Sequence, residues 1–415
     1  MSQWREASPL ARLLLVVVLM TGATTFMFVP LLALRLDSAG LTTATVGLVA
    51  GLLAFSSQAF SLVIGWIVDR TRLRFVLAAG LTGRIAGYLV LISALSEPND
   101  DPSVPALVVG VVCVGVGGSL LTLAIKIELV RQSGTSSREM LALRATFLNT
   151  GVVAGPALGA AVYPVGFTVI LCACIASHLF VTPLLFSRRL TAPKLRDDTR
   201  KAAEPKEAEQ ETTSWRSAIR YWAPLLLLST MFWLIYSQIS VMLPLLAREL
   251  TGTIAAASAL FTINGILCVL FQYTLLQHVF SRTSGRVLLI VGFGSFAVAY
   301  AVLIPFSGWG ALLAYILPMT FAELLIGPTL DQEIVKVGSL GRAGVALGAV
   351  TLAGSIGTLL GSWGGGYLLD AFQSSDAACA VLCGISLFAV MVCVLVPQNQ
   401  EDLGRSSSAS SRTTP

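Results

Sequence analysis

Twelve long apolar runs, separated by short polar segments, most constrain what this chain can fold into. Each run is long enough to cross a bilayer as a helix, which takes about 20 residues. Only 12% of the residues are charged, against about 25% in an average soluble protein. We therefore predict an all-α polytopic membrane protein. The net charge of +5 does not indicate nucleic-acid binding, because basic residues collect in the cytoplasmic loops of such proteins.

The predicted spans form two sets of six around a polar segment. Spans 1 to 6 cover residues 10–34, 42–67, 75–95, 105–128, 142–164 and 167–187. Spans 7 to 12 cover residues 221–247, 255–279, 287–307, 309–333, 343–368 and 377–396. We expect an N-terminal six-helix bundle (1–187), a solvated cytoplasmic linker (188–220), a C-terminal six-helix bundle (221–397) and a disordered cytoplasmic tail (398–415).

Short sequence repeats relate the two halves. Pro-Leu-Leu-Ala ends span 1 at residues 30–33 and recurs at the end of span 7 at residues 244–247. Arg-Ala enters span 5 at residues 144–145 and span 11 at residues 342–343. Matches that recur in the same order indicate two related bundles that face each other, and a cleft between such halves is the expected site for a ligand.

The distribution of basic residues predicts the orientation. With the N-terminus inside, only Arg35 and Arg248 of the 27 basic residues fall at the outer ends of spans. Because cytoplasmic loops carry an excess of Lys and Arg, both termini are expected in the cytoplasm. The first apolar run is too long for the core of a signal peptide and is interpreted as span 1. We expect a multi-pass protein of a bacterial plasma membrane.

A glycine stripe distinguishes span 5. Gly151, Gly155 and Gly159 are four residues apart, so on a helix they form one smooth line against which a neighbouring helix can pack closely. Pro156 lies within the stripe, where it removes one backbone hydrogen bond and is expected to kink the helix. A generic packing helix with small residues is the alternative interpretation.

The full pattern, Gly-x3-Gly-Pro-x2-Gly, resembles the antiporter motif in the fifth helix of drug:proton antiporters of the major facilitator superfamily. Gly65-Trp-Ile-Val-Asp69-Arg70, followed by Arg74, looks like the signature loop of this superfamily between helices 2 and 3. An ordinary positive-inside loop is the alternative there. The resemblance covers nearly the whole chain and implies twelve transmembrane helices in two pseudo-symmetric six-helix bundles.

Spans 8, 10 and 11 are similar to the twelve-span drug:proton antiporter branch, whose members carry out multidrug efflux. The similar segments are 260–265 with 269–272, 322–323 with 327–328, and 361–370. Many relatives carry a carboxylate in span 1 and a buried arginine in span 4, and this sequence has neither. The resemblance implies a cytoplasmic gating motif at Gly65, Asp69, Arg70 and Arg74. It also implies an antiporter motif, made of Gly151, Gly155, Pro156 and Gly159, that helps set the direction of transport.

Charged residues inside spans are the candidates for chemistry, since a charge at mid-membrane costs roughly 3 kcal/mol. Glu323 lies near the middle of span 10 and is the candidate proton carrier. A structural carboxyl that a neighbouring helix caps or pairs is the alternative. Arg84, inside span 3, is expected to need a carboxylate or carbonyl partner and to act in structure or gating before substrate contact.

If the superfamily arrangement holds, spans 1, 4, 7 and 10 line a cleft, with help from spans 2, 5, 8 and 11. Aromatic and uncharged polar side chains there suit a bulky, amphipathic ligand held by contact area and a few hydrogen bonds. Any one of them is more often a packing residue, and the prediction rests on the set. The candidate substrate-binding residues are Phe26, Phe28, Gln58, Asn149, Trp233, Tyr236, Gln238, Asn264, Gln272 and Tyr273.

The favoured hypothesis is a secondary transporter that exports a small apolar or amphipathic compound, such as a drug, antibiotic or metabolite, in exchange for protons by alternating access. An importer or uniporter of a small metabolite with the same fold is the alternative. An enzyme or receptor is disfavoured, because the sequence contains no phosphate-binding glycine loop and no nucleophile with a base. The expected partners are the substrate, protons and the lipid bilayer. No cofactor or metal is expected, and the chain is expected to function as a monomer.

Overall fold

The computed structural model describes residues 7–95, 102–132, 137–186, 215–278, 283–338, 343–372 and 374–395. Every regular element in these ranges is a helix, so the predicted all-α fold is confirmed. Ten helical segments are long and apolar enough to cross a membrane, and two shorter apolar helices, Thr43–Gln58 and Phe167–Pro183, occupy the positions of spans 2 and 6.

The helices follow the twelve predicted spans, and the span numbers are kept for them. Spans 1 to 6 are Pro9–Ser38, Thr43–Gln58 continued by Ser61–Arg70, Leu73–Leu95, Val104–Gln132, Ser137–Val162 and Phe167–Phe186. Spans 7 to 12 are Trp215–Tyr236 continued by Met242–Thr251, Ala255–His278, Gly285–Val302, Gly308–Gly338, Ala343–Phe372 and Ser375–Leu395. The span 7 helix begins inside the predicted linker. The remainder of that linker and the predicted tail lie outside the described residues.

Proline and glycine account for where span 7 breaks and ends. A short 3₁₀ turn, Ser237–Ser240, separates its two helices, and Pro244 lies at the start of the second. A proline ring clashes with the carbonyl four residues earlier, here that of Ser240, so an unbroken helix is disfavoured at this point. The second helix ends at Gly252, which has a φ of 68°, a left-handed conformation that glycine adopts without steric cost.

Glycine-lined pairs of spans build each half. Span 5 lies against span 1, and a Cβ at Gly151 or Gly155 would lie 2.6 Å from a backbone carbonyl oxygen, of Leu19 or Ala23 respectively. Span 11 packs on span 7 in the same way, with Gly357 facing the backbone of Thr230. The same arrangement therefore recurs in both bundles, as their sequence repeats predict.

The halves meet at one end of the molecule. We call the face where Pro9 and Leu395 lie the terminal face, and the face where Ser38 and Phe372 lie the distal face. Near the distal face, one apolar cluster combines residues of both halves, including Leu31 and Val46 with Leu245 and Ala257. In the described part of the chain, each cluster near the terminal face draws on one half only. In the described residues, apolar packing between the halves is therefore concentrated near the distal face.

Candidate functional site

A cavity opens between the two halves on the terminal side. It has a volume of about 640 Å³ and lies between the middle of span 5 and the second half of span 8. Its polar groups belong to threonine, asparagine and glutamine side chains, and the remaining lining is aliphatic. The lining residues are Ala145, Thr146, Asn149, Thr150, Val153, Ala154, Ile266, Val269, Leu270 and Gln272.

Glu323 lies at mid-span in the C-terminal half, where two other spans supply hydrogen-bond donors to its carboxylate. The hydroxyl of Tyr236 in span 7 donates to Oε1 at 2.9 Å. In span 8, Nδ2 of Asn264 donates to Oε2 at 2.9 Å, and the thiol of Cys268 lies 3.7 Å from the same oxygen. Asn264 also bonds Thr320, one turn before Glu323. Spans 7, 8 and 10 thus converge on one carboxyl group.

Neutral groups alone surround this carboxylate among the described residues. Neither a salt bridge nor a hydrogen bond from Lys, Arg or His reaches Glu323 in the part of the chain that the structure covers. A carboxylate without a fixed cation can bind a proton without leaving an opposite charge unpaired. The arrangement is therefore chemically able to take up and release a proton.

Aromatic side chains border the same group. Tyr236 stacks on Phe232 at a centroid distance of 5.7 Å and meets Trp233 edge to face at 5.7 Å. Trp233 and Tyr236 are half-buried. Phe26 of span 1 packs from the other half of the molecule against the larger apolar cluster that contains Phe232. An aromatic wall with a carboxyl group beside it combines a large apolar contact area with one polar anchor.

The other predicted substrate-binding residues do not lie together in one site. Asn149 of span 5 and Gln272 of span 8 line the cavity. Gln272 lies on a face of span 8 different from that of Asn264. Gln58 ends the first helix of span 2. Gln238 is 1% exposed, and its amide donates to the carbonyl of Gly361 at 2.7 Å, which engages it with span 11. Phe28 is fully buried, and the side chain of Tyr273 lies outside the described part.

Arg84 has partners different from those expected. Its Nη2 donates to the hydroxyls of Thr25 at 2.7 Å and Tyr88 at 2.6 Å. The prediction of a carboxylate or carbonyl partner is therefore wrong for the described residues. Gly117 and Gly118 of span 4 face this side chain and leave room for it to reach span 1. Only 4% of Arg84 is exposed, and its Nε has no hydrogen-bond partner among the residues that the structure describes.

The predicted gating motif lies at the terminal face, between spans 2 and 3. The guanidinium of Arg70 lies 4.2 Å from the ring centre of Trp66, and that of Arg74 lies 4.8 Å from the ring centre of Phe75. Gly65 faces Leu123 of span 4. The side chain of Asp69 lies outside the described part. Both described arginines thus rest on aromatic rings of their own segment.

Polar links across the distal face were not foreseen from the sequence. Nη2 of Arg248, at the end of span 7, lies 2.5 Å from Oδ2 of Asp37, at the end of span 1. The carboxylate of Asp370, at the end of span 11, accepts hydrogen bonds from the start of span 2. The internal repeat is the sequence signal that could have indicated the contact between spans 1 and 7, because it places the ends of these two spans at equivalent positions.

Comparison with known proteins identifies the family. The sequence model of the Major Facilitator Superfamily matches residues 14–336. The chain belongs to the Major Facilitator Superfamily. This membership and the names of the similar proteins establish that the chain is a membrane transporter and not an enzyme. Within the described residues, no group of three or more His, Cys, Asp or Glu side chains could hold a metal ion.

Individual members of the Major Facilitator Superfamily resemble the chain at low identity. The multidrug resistance protein MdtH of Aeromonas salmonicida is 24% identical over 364 residues, which cover 83% of this chain and 84% of MdtH. A solved peptide transporter POT has a TM-score of 0.74 at 16% identity and covers 95% of each chain. The nucleoside transporter NupG has a TM-score of 0.71 at 14% identity and covers 92% of this chain and 99% of its own. These two structures support the twelve-span fold alone.

Proposed function

We propose that this Major Facilitator transporter exports a small apolar or amphipathic compound in exchange for protons by alternating access. The observation that carries the proposal is the setting of Glu323: a mid-span carboxylate that accepts hydrogen bonds from Tyr236 and Asn264 and has no described basic partner. A buried ionisable group at this depth is costly, so a structural role alone accounts poorly for it. Similarity to MdtH, a multidrug resistance protein, supports the export direction.

Glu323 is proposed as the proton carrier because its neighbours serve the carboxyl group in either protonation state. Tyr236 donates to the ionised form and, after rotation of its hydroxyl, can accept from the protonated form. The amide of Asn264 has an oxygen as well as donors. The hydrogen-bond network can therefore follow a proton on and off Glu323 without losing all of its members.

The substrate is proposed to bind between the halves, where Tyr236 contacts both Glu323 and Trp233 and where Phe26 packs from span 1 against the same apolar cluster. The cavity between spans 5 and 8 would form the apolar entrance, and its volume of about 640 Å³ lies in the range typical of small-molecule sites. The antiporter motif places glycine against span 1, which carries Phe26, so a shift of span 5 would also move this wall.

The proposed orientation has the terminal face in the cytoplasm of a bacterial cell, as the distribution of basic residues predicts. The apolar cluster shared by the halves then lies on the outer side, and the cavity between spans 5 and 8 lies towards the cytoplasm. In this orientation the cavity receives its ligand from inside the cell or from the inner leaflet, which is the side from which an exporter loads. One chain contains both halves of the site and is proposed to work as a monomer.

Uptake of a fluorescent amphipathic dye into inside-out vesicles tests the proposal. With an imposed pH gradient, uptake should be strong and should collapse on addition of a protonophore. Glu323→Gln should abolish the gradient-dependent part, whereas Glu249→Gln, which alters an exposed carboxyl at the distal face, should leave it intact. Equal uptake by wild type and Glu323→Gln would refute the proton site. Dye movement down its own concentration gradient, at a rate that does not change with the pH gradient, would favour the importer or uniporter.

A further inference from the structure

The first turn of span 2 is held by a carboxylate from the other half of the molecule. Oδ1 of Asp370 accepts from the backbone N–H of Thr43 at 3.1 Å, and Oδ2 accepts from that of Ala44 at 2.8 Å. The hydroxyl of Thr43 lies within hydrogen-bond distance of both Asp370 and the carbonyl of Gly366. Three donors at the start of span 2 therefore face span 11.

These donors are the ones that a helix cannot satisfy by itself. The first N–H groups of a helix have no carbonyl partner within it, and they carry the positive end of the helix dipole. At span 2 the side chain of the N-cap residue, Thr42, accepts from the backbone N–H of Thr45 at 3.3 Å. Asp370 satisfies the two N–H groups between them. Its negative charge also lies where the helix dipole favours an anion.

The contact lies where the two halves approach most closely. A Cβ at Gly51 of span 2 would lie 3.0 Å from the Cβ of Ser362 in span 11, and Gly366 faces the backbone of Thr43. Asp370 itself is exposed to solvent. A capping interaction at an exposed position is weak compared with a buried ion pair. It can therefore break and re-form in every cycle.

The end of span 11 repeats the sequence pattern at the end of span 2. Gly-Trp-Ile-Val-Asp occupies residues 65–69, and Gly-Tyr-Leu-Leu-Asp occupies residues 366–370. Asp69 lies in the last turn of span 2 at the terminal face, and Asp370 lies in the last turn of span 11 at the distal face. The same two spans thus end in the same pattern at opposite faces.

We propose that Asp370 is the distal latch of this transporter: its carboxylate caps span 2 while the distal face is closed, and it must release the N–H groups of Thr43 and Ala44 before that face opens. The inference rests on alternating access, which belongs to the proposed function, but it requires neither proton coupling nor a particular substrate. Asp370 is a positioning residue, because it acts on the arrangement of the halves and touches no ligand.

Distance measurements between the halves test the latch. Full-length protein, with its native cysteines replaced, carries nitroxide labels at Ser103 and Ser307, in exposed segments of the two halves at the distal face. Double electron–electron resonance then gives the fraction of molecules that are open distally. Asp370→Ala should raise the ratio of open to closed molecules about fivefold to tenfold, the effect expected for loss of one helix cap. Asp370→Asn, which keeps one acceptor oxygen, should have a smaller effect in the same direction.

Asp376→Asn is the matched control, since Asp376 is an exposed carboxyl at the same face for which the described residues show no hydrogen bond across the halves. It should leave the distance distribution unchanged. Identical distributions for Asp370→Ala and wild type would overturn the latch, as would an equal shift in Asp376→Asn. Because no dye or gradient enters this measurement, its outcome is independent of whether proton-coupled export is correct.

A reversible cross-link provides a second test, in which a removable covalent bond takes the place of the contact between Thr43 and the Asp370 carboxylate. The side chains of Thr43 and Asp370 are in direct contact, so Thr43→Cys with Asp370→Cys should form a disulfide on oxidation. Dye uptake should stop in the oxidised protein and should return when the disulfide is reduced. If fully cross-linked protein took up dye at the normal rate, the transport cycle would not require this contact to break, and the latch would be overturned.

Discussion

The hydroxyl of Tyr236 lies 2.9 Å from Oε1 of Glu323, and this hydrogen bond joins span 7 to span 10 at mid-span. Tyr236 also belongs to the aromatic wall, through its contacts with Phe232 and Trp233. One side chain thus touches both the proposed proton site and the proposed substrate site. A substrate that displaces Tyr236 would change the hydrogen bonding of the carboxyl group, which gives the two ligands a direct physical connection.

Tyr236→Phe should slow gradient-driven dye uptake by about tenfold or more, because it removes a hydrogen bond to a charged group while keeping the aromatic ring. Initial uptake rates in inside-out vesicles provide the measurement. Tyr315→Phe is the control, since its hydroxyl contacts that of Tyr300 at 3.4 Å and does not touch Glu323. Equal slowing by both variants would show that the effect is one of stability alone.

Gly155→Ala should destabilise the protein by about 1–3 kcal/mol, as expected for overpacking at a tight contact. The new Cβ would lie 2.6 Å from the carbonyl oxygen of Ala23, so spans 1 and 5 must separate to accept it. Thermal unfolding in detergent measures the loss. Gly294→Ala is the matched control, because a Cβ there meets nothing within 4 Å, and its melting temperature should not fall.

Arg84→Met should preserve or raise thermal stability while it reduces transport. Among the described residues the buried guanidinium bonds only to neutral hydroxyls. A charge at this depth costs roughly 3 kcal/mol, and a methionine of similar length removes that cost. Melting temperature and dye uptake, measured on the same preparation, separate the two effects. A large fall in melting temperature would contradict this and assign Arg84 a purely structural role.

Asp37→Asn or Arg248→Ala should each cost at most about 1 kcal/mol, because this salt bridge is partly exposed, with side-chain accessibilities of 24% and 37%. The exchange of both charges, Asp37→Lys with Arg248→Glu, should recover most of the loss. A double-mutant cycle based on thermal unfolding measures the coupling, which should weaken as salt is added. Strictly additive single effects would mean that the two groups do not interact.

Sequence patterns predicted the helices and the glycine packing because both depend on local spacing. A span needs only enough consecutive apolar residues, and the stripe of Gly151, Gly155 and Gly159 needs only the helical repeat. Glu323 could be singled out for the same reason, since a charge in an apolar run is unfavourable wherever the run packs. The fold and the central candidate residue were therefore accessible from the sequence.

The partners of polar residues were not accessible in this way, because they come from other spans. Gln238 resembles a cleft residue in the sequence, yet its amide donates to the backbone of Gly361. Arg84 finds two hydroxyls where a carboxylate or carbonyl was expected. Asp37 and Arg248 are 211 residues apart. Helical periodicity assigns a side chain to a face, but only the packing of helices decides what that face meets.

Span 11 touches its neighbours through glycine on two sides, with Gly357 and Gly361 against span 7 and Gly366 against span 2. Each residue added to a helix turns everything beyond it by about 100°. A one-residue insertion between Gly361 and Gly366 would therefore leave the first contact in place and rotate the second out of register. Over evolutionary time, substitutions can accumulate on the lipid-facing side of this segment, but its length is fixed by the two neighbours that it must fit at once.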